Sequence, residues 1–347
     1  MKRFLFKTAV YLIPFTILYC ISLKYYSAAK EPDLLRIGLI PNVYQNYRPK
    51  FLHTANRTFD NLSNSNLKKY KILTIGDSFS DQDVFGYQNI LANDFSVVHV
   101  DKFISTNPIQ TLINFANGDF FDNYNIEYVI LQHVERHFID SIARLRINDK
   151  IMLYEIDSII VNKEKRQTDY ANKFFSRTTI KFPLYDLPKY FLQKNYLGNK
   201  QVYNVELVTD SLFSNHSNKL FFYNLDLEST TKNNMKENVD SLNRVLNLIA
   251  LKLRLRNIKL IVLPSPDKYD LYYDFISERK RFTKPLFFEL MKFQIKDYIY
   301  IDSKTILTSK LKTQKDIYFY DDTHWSPIAS KIIVENIKDT IDYYEKK

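Results

Sequence analysis

From Tyr70 onward the chain alternates short apolar runs with amphipathic stretches, which predicts strands interleaved with helices. Lys71 to Ile75 reads as a strand that ends in Gly76-Asp77-Ser78-Phe79-Ser80. A helix is predicted from Asp83 to Ala92, a second strand from Phe95 to Val100, and a helix from Pro108 to Phe115. Proline suits that first turn, where its missing N–H costs no helical bond. Glu127 to Leu131 is a continuous apolar run, the kind buried on both faces of a parallel sheet. The pattern resumes near Asn238, where Val239, Leu242, Val245, Leu246, Ile249 and Leu253 recur at helical spacing. Lys259 to Leu263 then reads as strand, Phe287 to Phe293 as helix and Tyr298 to Ile301 as a last short strand. Pro327 opens a final helix, Ile328 to about Tyr344. The expected fold class is α/β, a doubly wound and mostly parallel sheet.

Two stretches break the alternation. Residues 30–67 are mixed and polar, with Pro32, Pro41, Pro49 and the run Asn61 to Asn66, and read as a linker to a body at 68–347. Residues 147–237 read as an insertion, aromatic and basic from Glu164 to Tyr196, with strands expected at Val202 to Val208 and Leu220 to Leu225. Such an insertion either shapes an acceptor groove or elaborates the sheet away from substrate.

The N-terminus sets the compartment. Lys2, Arg3 and Lys7 precede an uncharged run from Thr8 to Leu23, closed by Lys24. Counted from Phe4, with Lys7 snorkelling, the run approaches the roughly 20 residues that span a bilayer as a helix. Residues 1–29 are expected to be an uncleaved signal anchor with its basic end inside, or a signal peptide cleaved near Ser27-Ala28-Ala29. Either route carries the body across a membrane, so the expected location is extracytoplasmic, at the cell membrane.

The net charge of +10 arises from lysines spread along the chain, without a compact basic stripe or a zinc-finger spacing. That pattern argues against nucleic acid and suits an acidic polymer or an anionic surface. Cys20 is the single cysteine, which excludes a disulfide framework and a thiolate metal site. His133 and His137 are four apart but lack an evident third ligand, and no metal or cofactor is expected. His53, His99 and His216 have no supporting constellation.

Two segments carry chemistry. A serine just past a buried strand stands where open α/β sheets bind ligands, and the following turn can aim N–H groups at an oxyanion. Ser78 occupies such a position. Just before the last helix comes Asp321-Asp322-Thr323-His324-Trp325-Ser326-Pro327. A carboxylate beside an imidazole fixes its tautomer, and the imidazole takes the serine proton. Asp322 is the preferred partner for His324, with Asp321 the alternative.

Gly76-Asp77-Ser78-Phe79-Ser80 resembles the first block of the SGNH (GDSL) hydrolase superfamily, and Asp322-Thr323-His324-Trp325 resembles its last. The Asp-x-His-Trp form is similar to that of the alginate O-acetyltransferase branch. Leu263-Pro264-Ser265-Pro266-Asp267-Lys268-Tyr269 and Glu135-Arg136 also resemble segments of that branch. The resemblance implies a flavodoxin-like three-layer fold, Ser78 as nucleophile, His324 as base and Asp322 as its acid. Ser comes first in this chain and Asp-His last, the reverse of the alginate enzymes. Where the superfamily carries Gly-x-Asn, this chain reads Gln132-His133-Val134, leaving Gln132 or Asn117 as candidate second oxyanion donors. Arg136 is expected either to contact substrate or to form a structural ion pair.

The implied function is O-acetyl transfer to, or removal from, an extracytoplasmic polysaccharide through an acetyl-Ser78 intermediate. The resemblance and the tether favour transfer, with a multispanning membrane partner delivering acetyl groups. The alternative is a non-catalytic polysaccharide-binding or assembly protein that retains the fold.

Overall fold

The computed structural model describes residues 1–25, 32–38, 40, 57–65, 67–102, 104–156, 158–160, 192 and 201–346. The proposed cleavage site, His53 and the aromatic stretch from Glu164 to Tyr196, apart from Leu192, lie outside the described residues.

Six strands form one parallel sheet: β1 (Asp60–Asn61), β2 (Lys69–Ile75), β3 (Val97–Val100), β4 (Asn125–Val134), β7 (Lys259–Ser265) and β8 (Ile299–Tyr300). β5 (Val202–Glu206) and β6 (Lys219–Tyr223) pair separately as an antiparallel hairpin. The sheet order is β1-β3-β2-β4-β7-β8, and every pairing within it is parallel. Without the short edge strand β1, this is the 2-1-3-4-5 order of doubly wound folds. Its switch point, where ligands bind, falls between β2 and β4 at their carboxyl ends.

Side chains alternate across the strands, as the two-residue period requires. Ile72, Tyr128, Ile130 and Ile261 face one core, shared with Ile333, Ile337 and Ile341 of the closing helix Pro327–Glu345. Leu73, Val129, Leu131 and Val262 face the other, shared with helices Pro108–Asn117 and Lys236–Arg254. Both faces are covered, which explains the continuous apolar runs in the sequence.

Helix starts follow local chemistry. Asn107 caps Pro108–Asn117 by accepting the Ile109 and Gln110 N–H groups, and Ser326 caps the closing helix by accepting Ile328 N–H. The expected helix from Asp83 to Ala92 is shorter: a 3₁₀ turn at Asp83–Phe85 precedes Tyr87–Leu91. Gly86 separates the two, in extended backbone conformation.

The stretch 30–67 is not wholly a linker. Helix Asp33–Gly38 buries Leu34 and Leu35 completely in the core beside Val202 and Leu220, and Asp60–Asn61 adds the edge strand β1. Two adjacent leucines in a polar stretch give no periodic signal, because only one short turn is buried.

The β5–β6 hairpin packs into the core that holds the closing helix. The Phe221 ring packs at a tilt on Tyr320, centroids 5.3 Å apart, and the Ser217 hydroxyl meets the Tyr320 hydroxyl at 2.9 Å. The described part of the insertion therefore braces the loop that carries His324.

The leading helix, Lys2–Tyr25, is long and apolar enough to cross a membrane, and none of its hydrophobic window is buried.

Candidate active site

β2 delivers Gly76-Asp77-Ser78 to the switch point. The turn is fixed by Asp77, whose carboxylate accepts Phe79 N–H at 2.9 Å, Val134 N–H at 2.7 Å and His133 Nδ1 at 2.7 Å. Burial opposes the charge, but these donors and the nearby imidazole outweigh it and hold Asp77 well below the usual carboxylate range. One side chain thus ties the serine turn to the end of β4. His133 Nε2 in turn meets the Ser141 hydroxyl at 2.6 Å. Both ring nitrogens of His133 are engaged, so it and His137 do not form an open metal site.

Gly76 is required by space. A Cβ there would lie 2.5 Å from Gln132 Oε1 and 2.8 Å from Ser80 Cβ. The Ser80 hydroxyl fills that gap and donates to Gln132 Oε1 at 2.7 Å. Ser78 itself is half-buried, and neither its N–H nor its hydroxyl bonds to a described residue.

His324 arrives from the other end of the chain. Its Nδ1 stands 2.6 Å from Asp322 Oδ1, and the same oxygen accepts its backbone N–H at 3.0 Å. Of the two candidate acids, Asp322 is the one in contact with the ring. The ring packs against Phe79, the residue after Ser78, with centroids 4.9 Å apart. Trp325 is fully buried, edge-on to Phe79 at 5.4 Å and to Tyr87 at 6.4 Å. The serine turn and the histidine loop therefore share one aromatic wedge. His324 Nε2 is buried and has no hydrogen-bond partner among the described residues.

Beneath the loop lies Lys268, fully buried, which donates to the carbonyls of Phe319 (2.8 Å), Tyr320 (2.6 Å) and Asp322 (3.2 Å). The sequence offers no hint of this role, because a carbonyl ligand leaves no side-chain signature. Residues 318 and 325 close the loop as a β-bridge. Tyr318 also donates its hydroxyl to Pro266 O at 2.5 Å.

The remaining candidates take structural places. Gln132 is fully buried, accepts from Ser80 and from Asp77 N–H (3.2 Å), and donates to the Ser265 hydroxyl at 2.9 Å. Its oxygen and one of its two amide hydrogens are therefore spent inside the core. Asn117 ends the helix Pro108–Asn117, and its amide donates to the Ile147 and Asp149 carbonyls. Arg136 takes the ion-pair role. Its Nη1 bridges Asp267 at 2.6 Å and Asp226 at 3.1 Å, with 7% of the residue exposed. Asp267 N–H donates to Glu135 Oε2 at 3.0 Å, so two segments singled out in the sequence by resemblance meet in one network.

Asp33, Asp322 and His324 bring their ligand atoms within 4.8 Å of one another, the one such cluster among the described residues. Hydrogen bonds account for its geometry: the imidazole bonds to Asp322, and Asp322 Oδ2 accepts Asp33 N–H at 3.2 Å.

A parallel α/β sheet carries a half-buried turn serine past β2 and an Asp-held histidine packed on the neighbouring Phe79, and the family match over the C-terminal part supports a hydrolase or acyltransferase kind of protein. Residues 220–344 match the family described as the SGNH hydrolase-like domain of the acetyltransferase AlgX, and over that span the chain is similar to it. The matched span includes Asp322, His324, Asp267 and Lys268; Ser78 lies outside it. No curated protein and no solved structure matches the chain.

Proposed function

We propose that this protein is a membrane-tethered, extracytoplasmic serine O-acetyltransferase or acetylesterase acting on a cell-surface or exported polysaccharide. The observation that supports it best is His324 Nε2, buried and without a partner among the described residues, with Nδ1 held by Asp322. An imidazole fixed in that way can turn the Nε2 lone pair toward the proton of Ser78. Ser78 Oγ attacks the acetyl carbonyl, and the proton passes to His324 Nε2. The free Ser78 N–H is a ready oxyanion donor. The tetrahedral adduct expels its alkoxide, which takes the proton from His324, leaving acetyl-Ser78. A sugar hydroxyl or water then repeats the sequence in reverse.

The apolar helix suits a tether or signal, and the likeness to an acetyltransferase domain favours transfer over hydrolysis. In that reading a multispanning membrane partner supplies the acetyl group.

The test is acetyl release from p-nitrophenyl acetate by the full-length protein in detergent, alongside Ser78→Ala and His324→Ala, with intact-mass analysis of the quenched reaction. Turnover lost in both variants, with an acetyl adduct on wild type only, is the expected result. Equal turnover in wild type and Ser78→Ala would sink the serine mechanism and bring forward a non-catalytic binding role.

A further inference from the structure

Asp33 belongs to a stretch that reads as a connector, yet it touches both members of the acid–base pair. Its N–H donates to Asp322 Oδ2 at 3.2 Å, and its own Oδ2 stands 3.5 Å from His324 Nδ1. Its Oδ1 takes Arg36 at 2.5 Å, while the adjacent Leu34 and Leu35 anchor the turn in the core. We propose that Asp33 is a positioning residue for the His324 base, supplied by the segment that joins the apolar helix to the body. The proposal rests on the serine reading above.

Asp322 uses one oxygen for the imidazole, and the other is kept from rotating by Asp33 N–H. The Asp33 carboxylate adds a second negative charge near the ring and so favours the imidazolium that forms when Ser78 loses its proton. Charged groups around His324 among the described residues include Asp322 and the adjoining Asp321 in its own loop, Arg36 behind Asp33, and Arg136, 5.9 Å from the Phe79 ring that packs on the imidazole. Lys268 lies beneath the loop, bonded to its carbonyls.

The placement also limits where the site can work. Tyr25 ends the apolar helix and Asp33 follows it by eight positions. A fully extended chain covers at most about 3.5 Å per residue, or about 28 Å over that interval. A tether ending at Tyr25 therefore keeps the base close to the bilayer surface, where a membrane partner's product emerges.

Asp33→Asn keeps the backbone donor and the side-chain volume and removes the charge. In full-length protein the expected result is a fall of about tenfold in kcat with little change in KM. The Nδ1–H proton resonance of His324, assigned by its loss in His324→Ala, should shift or broaden in the same variant, because Asp33 lies 3.5 Å from that nitrogen and steadies its Asp322 partner. This second readout does not need turnover, so a failed serine mechanism and a failed role for Asp33 are separable. A folded Asp33→Asn protein whose His324 Nδ1–H resonance and kcat match wild type would overturn the proposal.

Discussion

His324 and Asp322 are joined twice through a single oxygen: Asp322 Oδ1 takes the ring at 2.6 Å and the backbone N–H at 3.0 Å. The two-residue spacing lets one carboxylate fix both the position of the loop and the tautomer of its imidazole. An amide in that place presents a donor to Nδ1 and turns the ring's proton to the wrong nitrogen. Asp322→Asn is therefore expected to lower kcat on p-nitrophenyl acetate by on the order of 10³–10⁴. Asp321→Asn should stay within about tenfold of wild type. Comparable losses in both would show that the two acids share the role.

Gly76 tests the packing behind the nucleophile. A methyl group there meets Ser80 and Gln132, so Gly76→Ala should cost about 1–3 kcal/mol and reduce turnover. Removing the Ser80 hydroxyl makes room, so Gly76→Ala/Ser80→Ala should recover part of both relative to Gly76→Ala alone. Chemical unfolding of the four proteins in the cycle reads this coupling directly. Strict additivity would mean that the strain lies elsewhere.

The parallel sheet and the Asp-His pair were legible because each is written locally. Leu73, Val129 and Val262 sit in short apolar runs, and Asp322 is two residues from His324. Asp33 was not legible, because its contact with Asp322 spans 289 positions and depends on the fold already formed. Gln132 stands where a Gly-x-Asn donor is expected, but its amide is consumed by Ser80 and Ser265, and residue type cannot reveal which way an amide is spent. Arg136 was open between two roles, and only the folded chain brings Asp226 and Asp267 to it from about 90 and 131 positions away.

Lys268 offers a stability test with a functional readout. It satisfies three carbonyls of the histidine loop from a fully buried position. Lys268→Met fills similar space but strands those carbonyls, at about 1–3 kcal/mol for each that finds no new donor. The expected loss is about 3 kcal/mol in chemical unfolding, with kcat falling more than KM because His324 rides on that loop. Unchanged stability would mean that water replaces the ammonium without penalty.

Two carboxyls near the switch point, Asp77 and the buried Glu135, should show opposite pH dependence. Asp77 is held below the usual carboxylate range, so the unfolded chain binds its proton more readily than the folded one. Its contribution is present above the unfolded value, about 3.9, and is lost as pH falls through the lower folded value. Glu135 is pushed the other way, by burial first and then by the neighbouring Asp270 and Asp267 carboxylates. Its folded form keeps the proton, so its contribution is present below about 4.3 and is lost as pH rises through the higher folded value. Asp77→Asn should therefore be less stable than wild type at pH 7, with the gap narrowing below about pH 4. Glu135→Gln retains an acceptor for Asp267 N–H without the charge, so its stability relative to wild type should improve from pH 5 to pH 8. Urea unfolding of the three proteins from about pH 2 to about pH 8 reads both trends, the acid end for Asp77 and the neutral end for Glu135. If the differences from wild type hold constant with pH, neither carboxyl is linked to folding in the way its surroundings require.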